Sequence, residues 1–480
     1  MRIVITHFHL QTGGVTRVIE HACQALQDPQ ILVLTGEAPA PNLSLPAAVQ
    51  VVPALAYEER RIPLDGRSLG RELERAARDH FGAVPDLWHV HNHSLGKNLA
   101  LPDALHYLAE QGHRLLLQLH DFAEDGRPAL YARLLQAVGE GDPARLSARL
   151  YPQALHIHYA VLNERDRGFL ADTGVPEDRL HLLPNAVSLG EVPPEAAHPF
   201  GDRDLWLYPT RAIRRKNLGE LLLWATLGSE RDQFAATQAP QNPAEQPIYL
   251  RWRALAEALR LPIAFELGKQ VADFAGLLRS AHALMSTSIA EGFGLAFLEP
   301  WLVGRPLAGR DLPEITADFK ANGLQLNNLY AQLPVPLDWL DVPRLRQALE
   351  TAFRGIMHAY GRQVEPAQRE ALWAGIQQSG WIDFGRLDET AQESVIRLLR
   401  ADPDARCQLK GQLGQLPDEA TIAENRALVV REYALPRYGQ RLRRIYERLL
   451  ASPVEALSPG NGEALLNAFL DPERLSLLRT

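Results

Sequence analysis

The 480-residue chain has only two cysteines, Cys23 and Cys407, far apart in sequence. Two distant thiols build neither a disulfide framework nor a cysteine zinc site, which points to a reducing compartment. Long hydrophobic runs are missing as well: none approaches the roughly 20 residues that a membrane helix needs. The opening MRIVITHFHL has too short an apolar stretch for a secretory signal. A cytoplasmic protein without membrane contact is therefore expected. Surplus positive charge is also absent. Against 58 Asp and Glu stand 50 Lys and Arg, a net charge of −8, so no broad nucleic-acid surface is expected and any basic site must be local.

Alternating strands and helices fill the first 190 residues. Ile3–Thr6 is a buried-strand run, Gln11-Thr12-Gly13-Gly14 a turn, and Val15, Val18, Ile19, Ala22 and Leu26 recur on one helical face before a second strand at Ile31–Leu34. This is a βαβ unit opening a parallel sheet. Further strands are predicted at Leu87–His91, Leu115–Leu119, Leu155–Leu162 and Arg179–Leu183, with helical segments between, which makes a doubly wound α/β domain. Ligands of such sheets bind beyond the carboxyl ends of strands. Two features fall there: His120-Asp121, directly after LLLQL, and the segment His91-Asn92-His93, directly after LWHV.

A strand-end histidine such as His120 can donate a hydrogen bond at neutral pH and is expected to be open to whatever fills the cleft. It could equally cap the following helix or bond a loop carbonyl. Gly14 could serve a ligand's close approach or only a turn's φ angle. His7/His9, His89/His91 and His156/His158 sit at period two, on one face of a strand. Such pairs raise a zinc alternative, but no His-Glu-x-x-His or carboxylate-flanked pattern accompanies them, and no metal is expected.

A linker rich in Pro, Ala and Glu is predicted at 190–202. A second domain, over 200–425, opens with a strand at Leu205–Tyr208 and a basic turn holding Arg211, Arg214, Arg215 and Lys216. A helix marked by Leu218, Leu221, Leu222 and Ala225 follows. Cations at a helix start oppose its macrodipole, so four gathered there call for an anion. Residues 230–247 are polar and aperiodic and are expected to be an insertion or mobile loop. A strand at Ile263–Leu267 leads to Lys269, and Asp273–Ser280 is expected to be helical.

The apolar run ending at Ser286-Thr287-Ser288 leads into Glu291, Gly292-Phe293-Gly294 and a stripe at Leu295, Leu298 and Leu302 with helical spacing. A glycine turn there lets a ligand approach backbone N–H groups, and Glu299 would border the same pocket. Residues 343–417 are largely helical in pattern. In the tail, 426–480, Tyr438, Leu442, Ile445, Tyr446 and Leu449 form one apolar stripe with arginines mostly off it. Packing on the first domain is expected of that helix.

Glu291 and Glu299, with seven residues between and Gly-Phe-Gly-Leu among them, resemble the paired-glutamate motif of retaining GT-B glycosyltransferases of the family-four, or group 1, type. Gly13-Gly14, His120, Arg211 and Lys216 precede it in that family's order. The resemblance implies two Rossmann-like domains facing across a cleft; residues 343–417 exceed what that fold needs and are read as a helical subdomain shaping the acceptor side. It also implies a nucleotide-diphosphate sugar as donor, transfer to a small-molecule or glycan acceptor, and no required cofactor or metal. The catalytic group would be His120, Arg211, Lys216 and Glu291. Donor contacts would come from Gly14, Gly292, Phe293, Gly294, Leu295 and Glu299, and acceptor contacts from His91 and His93. A phosphorylase of the same fold and a non-catalytic nucleotide- or glycan-binding homologue are the alternatives. The family's glycine after Asn185 is replaced by Ala186, whose turn must avoid positive φ.

Overall fold

The computed structural model describes residues 1–26, 29–189, 192–193, 198–271 and 273–479. The chain forms two compact units. The first comprises Met1–Ala186, Ala359–Gly361 and Tyr433–Asp471; the second comprises Val187–His358, Arg362–Glu432 and the residues from Pro472 onward. The tail read as one piece over 426–480 is thus divided, and part of the predicted linker, at 190–191 and 194–197, lies outside the described residues.

In the first unit, strands β1 (Arg2–His7), β2 (Gln30–Thr35), β3 (Ala48–Val51), β4 (Leu87–His91) and β5 (Leu115–Gln118) join β7 (Ile157–Val161) and β8 (Leu180–Leu182) in one sheet, in the order 3-2-1-4-5-7-8. All its pairings are parallel. The short β6 (Pro152–Gln153) lies outside it, paired antiparallel with Ser458–Pro459. Five of the six residues of β1 are buried, as a parallel strand covered on both faces requires. Helix Gly14–Ala25 places Val18, Ile19 and Ala22 against this sheet, and helix Leu435–Ala451 adds Tyr438, Leu442, Ile445, Tyr446 and Leu449 to the same core. The tail's apolar stripe is therefore spent on packing, and its arginines cover the other face.

The second unit's sheet is also all parallel: β9 (Asp204–Arg211), β10 (Asp232–Gln238), β11 (Ile263–Ala264), β12 (Ala283–Ser286) and β13 (Leu307–Gly309), in the order 11-10-9-12-13. Here the reading of 230–247 is corrected. The segment holds β10, paired along β9 and buried from Gln233 to Thr237, and then the start of helix Gln246–Ala258. Of its five buried residues only Phe234 is large and apolar, so the run carries little hydrophobic signal, yet it lies inside a parallel sheet covered on both faces. Residues 343–417 are mostly helical, with a short antiparallel hairpin, Gln377–Gln378 and Trp381–Asp383. Helix Glu389–Ala401 from this segment packs on helix Leu218–Leu227 within the same unit.

Candidate active site

Each sheet reverses its winding direction once, between β1 and β4 in the first unit and between β9 and β12 in the second. Such switch points open crevices beyond the carboxyl ends of the strands. In the second unit, β9 ends at Arg211 and the loop after it carries Arg214 to Lys216, and the loop after β12 carries Glu291 to Gly294. The two loops are fastened together: the Ile289 N–H donates to Arg215 O at 3.0 Å, and Thr287 Oγ1 donates to Lys216 O at 3.0 Å and to Asn217 O at 3.1 Å.

This fastening brings Lys216 and Glu291 together in an ion pair, with side chains only 15% and 10% exposed. Arg215 donates to Ala290 O at 2.7 Å and lies 3.6 Å from the other Glu291 oxygen. Burial lowers the Lys216 pKa, and Glu291 opposes that shift. An ammonium has three donors, so Lys216 keeps hydrogens for a further acceptor. Arg211 ends β9 and is exposed. Arg214 is drawn off to Glu389, 2.5 and 3.0 Å away, so the predicted gathering of four cations is partly neutralised by the chain itself.

The expected helix after Gly294 is not continuous. Leu295–Phe297 form one 3₁₀ turn, and a four-residue helix, Glu299–Leu302, follows. Pro300 has no N–H to donate, so it fits only the first turn of a helix, and it starts this one. Glu299 therefore opens a helix instead of sitting within one. Leu295 is exposed, whereas Leu298 is fully buried. The Phe293 ring packs edge-on against Phe319 at 5.6 Å, so the side chain is engaged within the unit. Gly294 has φ +91°, and a Cβ there would stand 2.8 Å from Ile315 Cγ2. Gly294→Ala is therefore expected to destabilise the chain by roughly 1–3 kcal/mol, read from urea unfolding midpoints.

In the first unit, Gly13 has an extended φ of 176° and opens helix Gly14–Ala25. A Cβ on Gly14 would meet nothing within 4 Å, and Gly14 is not among the positive-φ residues. Neither turn geometry nor packing within the chain demands a glycine at 14. Ala186 likewise avoids positive φ.

The histidines at the strand ends form a buried group. His91 Nδ1 and His120 Nε2 are hydrogen-bonded at 2.9 Å, with ring planes within 19° and centroids 5.2 Å apart, and the His7 ring stands edge-on to His91 at 6.2 Å. His120 is 9% exposed, which corrects the expectation of an open side chain. The physical reason is non-local: β4 and β5 are adjacent, so His91 covers it. His93 turns inward, bonded through Nε2 to Leu150 O at 2.7 Å, so its ring is not available to an acceptor. Among the described residues no group of three or more His, Cys, Asp or Glu side chains is arranged to hold a metal ion.

Burial holds these rings neutral, with pKa values of about 3 for His7 and His120 and about 4 for His89 and His93. The unfolded chain would bind protons near 6.5 while the folded one does not, so stability rises with pH across that window. Thermal unfolding midpoints are accordingly expected to fall steadily from pH 6.5 towards pH 4, and less so in His93→Gln.

No family model matches the chain. A curated relative, mannosylglucosyl-3-phosphoglycerate synthase of Petrotoga mobilis, is 24% identical over 381 residues, covering 72% of this chain and 72% of its own length. Among solved structures, Anabaena HepE in complex with UDP and glucose superposes with a TM-score of 0.53 at 13% identity, over 92% of this chain and 98% of that one. Sucrose-phosphate synthase from Thermosynechococcus elongatus superposes with a TM-score of 0.50 at 16% identity, over 94% and 99%. The chain has the GT-B fold of the glycosyltransferases.

Sequence reading of this GT-B chain missed a buried network behind the basic turn. Arg310 donates to Glu220 at 2.6 Å and to Asp383 at 2.8 Å, and Tyr330 Oη donates to Glu220 at 2.9 Å. Asn217, next to Lys216, donates to Glu220 at 2.7 Å and accepts from Gln392 at 2.9 Å. An isolated Glu on the otherwise apolar run LGELLLWATL was the available signal, since a buried carboxylate needs a partner. In this GT-B chain the segment 343–417 thus supplies Asp383, Glu389 and Gln392 to brace the basic turn of its own unit.

Proposed function

We propose that the chain is a glycosyltransferase that moves a sugar, a hexose, from a nucleotide-diphosphate donor to an acceptor hydroxyl with retention at the anomeric carbon. The observation that carries this reading is the second unit's strand-end constellation: Lys216 and Arg215 against Glu291, an exposed Arg211, and the glycine turn at Gly292–Gly294. Such a group suits a diphosphate, with Arg in forked bonds and Lys as a point charge. The HepE structures in complex with UDP and with UDP-glucose support a nucleotide-sugar donor.

In the reaction the bond from the anomeric carbon to the diphosphate oxygen breaks and a bond to the acceptor oxygen forms on the same face. The acceptor's proton passes to the departing phosphate. Arg211 and Lys216 would stabilise the charge growing on that leaving group, helped by backbone N–H groups near Gly294. Glu291 would hold Lys216 in place and face the oxocarbenium-like sugar. Glu299 would accept hydrogen bonds from the nucleotide ribose, and His120 would orient sugar hydroxyls. Gly14 would let the diphosphate approach the backbone, which accounts for a glycine that the fold itself does not need.

Gly14→Ala is therefore expected to keep its unfolding free energy within about 0.5 kcal/mol of wild type while weakening donor binding, measured as KM for the donor. The reading as a whole is tested by incubating the protein with UDP-glucose, GDP-mannose and ADP-glucose and a panel of sugar and phosphorylated acceptors. Release of nucleoside diphosphate with an α-linked product from an α-linked donor, seen by proton NMR, is expected. Release of an inverted product, or transfer from a sugar phosphate alone, would refute it.

A further inference from the structure

The hydrogen bond between His91 Nδ1 and His120 Nε2 joins two neutral rings, so one nitrogen carries the proton and the other accepts it. The surroundings of the two remaining nitrogens decide which. His91 Nε2 is fully buried and has no partner. If His120 donated to His91, the second ring's proton would sit on this enclosed nitrogen as an orphaned buried N–H. Buried donors without a partner are rarer than buried acceptors without one. With the proton on His91 Nδ1, the enclosed Nε2 is a bare lone pair instead, and the proton of His120 moves to its Nδ1. That atom has no hydrogen-bond partner among the described residues and is not among the fully enclosed polar atoms.

We infer that His91 is a positioning residue that fixes His120 in its Nδ1–H tautomer, so that His120 presents a hydrogen-bond donor, and not an acceptor, at the switch point of the first unit. The ligand group it meets is then an oxygen lone pair, such as a sugar hydroxyl or a phosphate oxygen. The His89 ring packs at a tilt of 32° against His91, with centroids 4.4 Å apart, and holds the orienting ring in place. His89 is itself fixed by Tyr446 Oη at 2.8 Å and by Gln118 Oε1 at 2.9 Å. Tyr446 lies on the helix Leu435–Ala451, which connects the tail's packing to the orientation of a candidate site residue. This arrangement gives His91 a role distinct from acceptor contact. Its activity consequence rests on the transferase reading; its tautomer assignment does not.

The test uses the full chain with ¹⁵N-labelled histidine and long-range proton–nitrogen correlation spectra at pH 7.5, beside donor kinetics. Wild-type His120 is expected as a single Nδ1–H tautomer. His91→Asn, whose amide nitrogen falls where Nδ1 was, is expected to keep that tautomer and most of kcat. His91→Phe, similar in shape but without a donor, is expected to lose the tautomer preference and to lower kcat roughly tenfold to a hundredfold with little change in KM. An Nδ1–H signal missing from wild-type His120, or an equal mixture, would overturn the assignment even if His91→Phe failed to fold. Unchanged kcat in a folded His91→Phe would overturn the positioning role. A wild-type protein that transfers no sugar would count against the transferase reading alone, since the spectra need no substrate.

Discussion

Alanine at Lys216 lowers kcat by about 10²–10³, the usual cost of removing one charged donor from a developing negative charge, while the fold persists. The ammonium is largely buried, joined to Glu291, and braced from behind by the Thr287 hydroxyl on its own carbonyl. In the proposed reaction it would meet a phosphate already oriented, in surroundings where charge is weakly screened. Glu291 does not become an isolated buried charge in the variant, because Arg215 remains 3.6 Å away. The loss should appear in kcat more than in donor KM if the charge matters chiefly as the diphosphate departs. Lys216→Arg should recover part of it, since a guanidinium supplies charge but not the same reach. Steady-state kinetics with circular dichroism as a fold control checks this. Wild-type kcat in a folded Lys216→Ala protein would remove Lys216 from the chemistry.

The largest stability effect is expected at Arg310. Its side chain is 4% exposed and faces Glu220, fully buried, and Asp383, 10% exposed. Alanine there strands two carboxylates in the interior, at a cost of about 3–5 kcal/mol for a broken buried pair. That corresponds to a drop in the unfolding midpoint on the order of 10 °C for a unit of this size. Glu220 also holds Asn217 beside the basic turn, so donor affinity should fall with stability. Replacing Arg310 and Glu220 together by apolar residues should cost less than Arg310→Ala alone, because fewer unpaired charges remain buried. Differential scanning calorimetry of the three proteins checks the order; an Arg310→Ala midpoint equal to wild type would contradict it.

How much of this was legible in the sequence depended on whether the cause was local. RIVITH and LWHVH are buried strands by composition, and the basic run before LGELLLWATL stands out because nothing nearby in sequence neutralises it. Strand β10 was not legible, since DQFAATQ has one large apolar residue and its burial comes from pairing on both sides. The edge strand β3 was missed for the opposite reason: all four of its residues are exposed. The site shows the same division. Lys216 and Glu291, which the structure pairs, are marked as candidates because each sits on a recognisable turn. The burial of His120 by His91 and the capture of Arg214 by Glu389, 175 positions away, depend on tertiary neighbours that no local pattern announces. The short helix at Glu299 was signalled by Pro300, which marks a first turn as readily as an interruption.

The central claim is that the turns carrying Arg211, Lys216, Glu291 and Gly294 hold a diphosphate. Isothermal titration calorimetry of the wild-type protein with UDP, GDP and ADP, repeated on Arg211→Ala/Lys216→Ala, tests it most directly. One diphosphate should bind the wild type, and its affinity should fall at least about tenfold in the double variant, some 1.4 kcal/mol. Binding that survives the double substitution unchanged, or no binding of any diphosphate by the folded wild type, would contradict it.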